Sequence, residues 1–211
     1  MNVMEDRIDP AVQNAVFPVA DSPYAPPQAV VADPAVVRVL PPHYVVAARK
    51  FFLLYLLTSG LYGIYWCYAH WARIRTVQRL HILPAGRALF PMFYTHRLAR
   101  QLDGSLRESG SDYVWSPNLV ATFLVVLQIA SAVMERLSKW DAELGATDAM
   151  SIALLLPLAG LSWRLQHVAN LACDDPAGAS NRRLTWANWL WLVAGSVLLV
   201  LVVLGFLVPV E

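Results

Sequence analysis

Nineteen consecutive residues without a charge, 190–208, constrain this chain more than any other feature, and fourteen of them are Leu, Val or Phe. A helix over that run is about 28 Å long, close to the ~30 Å hydrocarbon core of a bilayer. Each such residue placed centrally favours insertion by roughly 0.3–0.6 kcal/mol, so the run favours crossing by several kcal/mol in total. Trp186 and Trp189 precede it and Trp191 is its second residue, together at the position of an aromatic belt.

Three further apolar stretches precede this one, so that the four cover about 46–69, 117–135, 146–167 and 187–209. The second opens on Trp115-Ser116-Pro117, where Ser116 can cap a helix and Pro117 can occupy its first turn without losing a useful donor. The third is short and holds Pro157, so it spans only if flanking residues extend it, and the proline is expected to kink it. The first carries Thr58-Ser59-Gly60-Leu61-Tyr62-Gly63 at its centre, and the two glycines there mean either close packing or a break. Composition agrees with a membrane protein: 57% hydrophobic and 15% charged, against about 45–50% and about 25% in soluble domains. These figures exclude a disordered chain and a strongly basic nucleic-acid binder, and two cysteines, Cys67 and Cys173, exclude a disulfide scaffold. The expected fold class is therefore all-α: a polytopic membrane helical bundle of three to four transmembrane helices plus interfacial amphipathic helices.

Residues 1–42 stand apart from the domain 43–211. They hold eight of the fourteen prolines, no glycine, and Glu5, Asp6, Asp9, Asp21 and Asp33 against Arg7 and Arg38, the composition of a disordered acidic tail. The acidic start is unlike a secretory signal, so the tail is expected to stay on the mature protein. Lys and Arg number four before residue 51, seven between 70 and 117, two between 135 and 149, three between 164 and 185, and none after. Basic residues collect on the cytoplasmic side of short loops. A first stretch that crosses splits them ten to six; one that folds back at Ser59-Gly60 splits them fourteen to two. The second arrangement is the one expected, and both place the C-terminus outside the cytoplasm of a bacterial inner membrane. Fourteen arginines against two lysines fit a high-GC bacterial coding bias.

Between the first two stretches lies a basic amphipathic region. On a helix over 64–82, Cys67, Trp71, Ile74 and Val77 share one side, and Arg73, Arg75, Thr76 and Arg79 the other, the pattern of an interfacial helix with arginines toward lipid phosphates. Segment 87–102 sets Leu89, Phe90, Phe93 and Leu98 beside Arg87, His96, Arg97 and Arg100, again interfacial or partly buried. The aromatic cluster Tyr62, Tyr65, Trp66, Tyr68 and Trp71 suits headgroup anchoring, or binding of a lipid headgroup or cation. Arg73, Arg75, Arg79, Tyr65, Trp66 and Trp71 are thus the candidate headgroup residues. Gln166, Asn170 and Asp174 recur every four residues and are expected on one helix face, either making inter-helix hydrogen bonds or lining a solute path or docking site.

Catalytic chemistry finds no footing. His43, His70, His81, His96 and His167 include no pair at zinc-site spacing, no phosphate loop or nucleophile elbow occurs, and no acid, base and nucleophile fall together. No catalytic, cofactor or metal residue is assigned. Both cysteines are expected near the reducing cytoplasmic face, where a disulfide does not persist.

The run 52–71 contains Leu57-Thr58-Ser59-Gly60-Leu61-Tyr62-Gly63-Ile64-Tyr65-Trp66-Cys67-Tyr68, which resembles the Leu-Thr-x-Gly-x-Tyr-x-x-Tyr-Trp-x-Tyr segment of a family of uncharacterised bacterial multi-pass membrane proteins, a domain of unknown function. Ile82, Pro84, Arg87, Ala88 and Phe90 resemble that family's Ile-x-Pro-x-x-Arg-Ala-x-Phe run, and Gln166 with Asn170, and Trp186 with Asn188, resemble its later polar positions. The resemblance covers roughly 45–208 and implies a multi-pass membrane fold with no transferable activity. His70 and Cys173 depart from it, His70 standing where the family has Asn and Cys173 near where it has a second Asn.

The function expected is a small, non-catalytic membrane protein that interacts: its basic belt with anionic membrane lipids, its tail with a protein partner. The alternative is a component of a transporter or channel, suggested by the broken Gly60–Gly63 segment.

Overall fold

The computed structural model describes residues 41–138 and 146–207; apart from Pro41 and Pro42, the acidic segment 1–42 lies outside the described residues. Those residues are all-helical, with seven helices and no strand. Helix α1, Ala48–Leu57, follows an extended lead-in ending at Ala47. Thr58 stops it: Oγ1 donates to the Leu54 carbonyl at 2.6 Å and accepts from the Tyr62 amide at 3.0 Å. Ser59 and Gly60 then turn through the left-handed region, at φ 48° and 84°, and reverse the chain into α2, Tyr62–Val77. The two helices run antiparallel, with Phe51 against Trp66 and Tyr55 against Gly63. The central Gly-containing segment is therefore a turn between two short helices.

After α2 the chain passes through Arg79 at φ 51° and re-enters helix at two prolines, α3 over Pro84–Leu89 and α4 over Pro91–Glu108. Each proline sits in a first turn, where its missing N–H removes no hydrogen bond, and Pro91 forces Phe90 out of helical geometry. Helices α5, Pro117–Ser138, and α6, Ala146–Ala172, form an antiparallel pair in which Tyr113 meets His167 and Leu119 and Phe123 lie beside Leu161 and Arg164. The third apolar stretch thus extends to 27 residues and runs through Pro157 as one helix. Helix α7, Trp186–Leu207, begins with a capping box: the Thr185 amide and hydroxyl donate to Asn188 Oδ1 and the Asn188 amide donates to Thr185 Oγ1.

Packing is concentrated at one end of the bundle. Leu98, Leu102 and Leu106 of α4 join Val120, Ala121 and Leu124 of α5 and Leu165, Val168 and Ala169 of α6 in one core, with Trp66, Trp71 and Ile74 of α2. The other end is bare: Val126, Ile129, Val133 and Leu137 of α5 and Met150, Ile152 and Leu156 of α6 are all exposed. Helix α7 touches the rest chiefly through α1, where the bare Cα of Gly195 faces the Leu57 carbonyl; an added Cβ would lie 2.4 Å from that oxygen. Among the described residues two helices are long and apolar enough to cross a membrane, Pro117–Leu137 and Met150–Ala172.

Candidate functional site

A network of buried amides joins α6 to the α1–α2 hairpin. Gln166 and Asn170 lie one turn apart on α6, and neither exposes any surface. The indole N–H of Trp66 donates to Gln166 Oε1 at 2.6 Å. Because indole can only donate, this bond fixes which end of the Gln166 amide is oxygen. His70 Nε2, 3.1 Å from the same oxygen, must then carry its proton, which leaves Nδ1 as a lone pair. The Gln166 amide nitrogen in turn donates to the Tyr44 carbonyl at 2.9 Å and to Asn170 Oδ1 at 2.7 Å. That orients Asn170, whose oxygen accepts from the Val46 amide at 3.3 Å and whose nitrogen donates to the Val46 carbonyl at 2.9 Å.

The side chain of Asn170 thus pairs with Val46 much as a neighbouring strand would. Extended backbone cannot satisfy its own hydrogen-bonding groups, and Val46 is fully buried, so the amides of α6 supply what water does not. A second amide repeats the device from the loop before α7. Asn181 donates to the Tyr44 hydroxyl at 3.0 Å and the Val45 carbonyl at 2.8 Å, and accepts from Lys50 Nζ at 2.7 Å. Lys50 also donates to the Arg183 carbonyl. The loop is shaped by Asp175, whose carboxylate accepts from the Ala179 and Ser180 amides at 2.7 and 2.8 Å. Desolvation pushes that carboxyl up, but the hydrogen bonds from Ser180, Ala179 and Gly178 together outweigh it and hold the group below the usual carboxylate range. Gly178, at φ 64°, lies directly over the Val46–Ala47 peptide.

His43 and His70 complete the cluster, their ring centroids 6.1 Å apart. Both are fully buried, and neither nitrogen of His43 has a protein partner. Burial pushes the His43 imidazole down to about 4. Tyr44 and Trp66 set their rings edge-on against His70, at centroid distances of 6.0 and 4.8 Å, so the imidazoles are enclosed by the same residues whose hydrogen bonds join the hairpin to α6.

The residues singled out from sequence divide between core and surface. Arg75 and Arg79 are exposed, Arg73 is half-buried, and Tyr65 is 44% exposed. Trp66 and Trp71 are 3% and 1% exposed, which corrects their reading as headgroup residues. Trp66 bonds Gln166, and Trp71 lies under the Arg87 guanidinium, 4.4 Å from ring centroid to Cζ, with Tyr94 on the same cation at 5.1 Å. Leu89, Phe90 and Phe93 are more than half exposed, whereas Leu98 is core. Asp174 does not share the face of Gln166 and Asn170: α6 ends at Ala172, and Asp174 is exposed at φ 55° in the following turn. The four-residue spacing of Gln166 and Asn170 marks the α6 side of this site in the sequence, whereas nothing there groups Tyr44, Lys50, Asn181 and the His43–His70 pair with them.

The basic side chains gather at the packed end. Only one ion pair joins described residues, Arg107 to Asp103 at 2.8 Å, so the cationic surface of Arg73, Arg75, Arg79, Arg97 and Arg100 is not neutralised by described carboxylates. Gln78 and Gln101 tie the end of α2 to α4 within it, through a 2.9 Å hydrogen bond. Compared with models of protein families, with curated proteins and with solved structures, the chain matches none.

Proposed function

We propose that the chain is a polytopic inner-membrane protein without catalytic activity, whose arginine-rich end engages anionic lipid headgroups at the cytoplasmic surface. The observation that carries this reading is the bareness of the apolar helices. Only 17% of the spanning window of α5 is buried, where a core helix of a soluble protein would be mostly covered. Its exposed Leu, Val, Ile and Phe side chains need a nonpolar solvent. The same bareness extends over α7, from Leu190 to Leu204.

The α1–α2 hairpin enters this layer and returns. Its turn lies beside Leu155 of α6, while its base lies beside Asn170, a separation of about 23 Å along that helix, short of the ~30 Å core. A re-entrant hairpin gathers fourteen of the sixteen basic residues on one side and two on the other, the bias expected of a cytoplasmic face. The C-terminus then lies outside the cytoplasm, and the tail 1–42 lies inside, where it recruits a protein partner. A transporter component has the helix break in its favour, but Gln166 and Asn170, two of the buried polar residues of α6, direct their hydrogen bonds to the hairpin and its lead-in.

The test is flotation of the purified full chain with vesicles of phosphatidylcholine alone or mixed with phosphatidylglycerol, alongside alkaline extraction of native membranes. Retention through extraction and a larger floating fraction of the chain with the anionic mixture are expected. Release by alkali would refute the integral reading, and indifference to phosphatidylglycerol would refute the headgroup role.

A further inference from the structure

One face of α2 changes character along its length. Leu61 and Ile64, exposed near the hairpin turn, line an apolar groove of about 430 Å³ whose far walls are Ala85 and Leu89 of α3 and Trp191 of α7. Tyr65 and Tyr68 border this groove and also a second cavity, of about 310 Å³, lined by Tyr44, Ala72, Arg73 and Thr76. The two spaces therefore follow one another along the helix, from hydrocarbon side chains through two phenols to a guanidinium and a hydroxyl. Tyr65 is held at the junction by an edge-on contact with Tyr44, ring centroids 6.1 Å apart. Arg73 makes no ion pair with a described residue.

We infer that this face holds one anionic glycerophospholipid, an acyl chain lying in the groove between α2, α3 and α7 and its phosphate beside Arg73, with the Tyr65 and Tyr68 hydroxyls at glycerol depth. The inference rests on the membrane reading above and adds to it a specific seat. Size selects the occupant: a helix about 10 Å across would fit the groove for only about one turn, whereas a single hydrocarbon chain can lie along it. Charge selects the headgroup, because a guanidinium pairs with a phosphate in bidentate fashion. The polarity order also matches the depth order of a phospholipid, with the apolar part toward the hairpin turn.

The experiment uses the full chain in phosphatidylcholine vesicles containing trace phosphatidylglycerol, or trace phosphatidylcholine, with a photoactivatable group in mid-chain, and maps the adducts by mass spectrometry. The anionic probe is expected to label the peptides carrying Leu61, Ile64, Leu89 and Trp191 in excess over the outward face of α5. Arg73→Ala should lower that excess about fivefold, the effect of one basic residue at an anionic surface, and Arg73→Lys should restore most of it. Ala85→Trp, at an exposed groove position, should reduce groove labelling by both probes and leave α5 labelling unchanged. Groove labelling no greater than that of α5, or unmoved by the charge at position 73, would overturn the site while leaving the membrane reading intact. An unlabelled α5 in protein that does not float with the vesicles would overturn both.

Discussion

Replacing Asn170 with alanine removes the two hydrogen bonds that seat the lead-in to α1 on α6 and a third, within α6, to Gln166. The Val46 amide loses its acceptor, the Val46 carbonyl loses its donor, and the Gln166 amide loses one of its two acceptors. These losses are unequal. Gln166 keeps the Tyr44 carbonyl, and the bond from the Val46 amide is long at 3.3 Å, so most of the cost falls on the carbonyl, which had a 2.9 Å partner. A buried polar group left without a partner costs about 1–3 kcal/mol, whereas side-chain hydrogen bonds between membrane helices average about 0.6 kcal/mol because the unfolded chain finds other partners. Val46 is fully buried, so the larger figure applies to its carbonyl, and the variant should lose about 3 kcal/mol once the void left by the amide is included. The assay is equilibrium unfolding of the purified protein in mild detergent, followed by tryptophan fluorescence, with trypsin cleavage after Arg49 and Lys50 as a local readout. Asn170→Ala should expose that site well before global unfolding. A loss below about 0.6 kcal/mol with unchanged cleavage would refute the reasoning.

Gly195→Ala should lower stability by about 1–3 kcal/mol, because the new Cβ would sit 2.4 Å from the Leu57 oxygen, while Ala194→Val on the exposed side of the same helix should be silent in the same unfolding assay. Gly178→Ala combines an unfavourable φ of 64° with a collision against the Val46 peptide and should cost about 2–4 kcal/mol, seen as an earlier thermal transition. With the His43 imidazole held down to about 4, the unfolded chain binds a proton that the folded chain refuses between that pH and about 6.5. The His43 contribution, fully present above about pH 6.5, should therefore fall by on the order of 3 kcal/mol as the pH drops to about 4. His43→Phe should make the slope shallower, the equally buried His70 ring supplying what remains, which denaturant titrations across the range would show.

The long apolar helices α5, α6 and α7 are legible in their uncharged runs, but helix length is not: the first uncharged run divides into α1 and α2, and α6 continues past Arg164 to Ala172. The break between α1 and α2 is legible in the Ser59-Gly60 pair, and the left-handed φ values at those two residues give the physical reason. Trp66 and Trp71 were misread because residue type alone places aromatic rings at an interface. Which side of α2 is covered depends on Gln166, a hundred positions away, and on Arg87 of α3. The wheel over 64–82 did put Cys67, Trp71 and Ile74 together, and all three are buried; Val77, at the end of the helix, is exposed. Asp174 was carried onto the face of Gln166 and Asn170 by a period of four, but that period lapses where α6 ends at Ala172. Lys50 and Asn181 lie 131 residues apart, and no local pattern marks either as the other's partner.

The proposed arrangement of the hairpin in a bilayer is open to direct measurement by single cysteines placed in a background of Cys67→Ala and Cys173→Ser and reacted with a membrane-impermeant maleimide from either side of oriented vesicles. Gln78→Cys and Ser180→Cys should react from the same side, the one that carries the arginines, and Ser59→Cys should be shielded from both. Reaction of Arg49→Cys and Gln78→Cys from opposite sides would mean that the first stretch crosses the membrane, and reaction of all positions from both sides would mean that there is no membrane-embedded bundle at all.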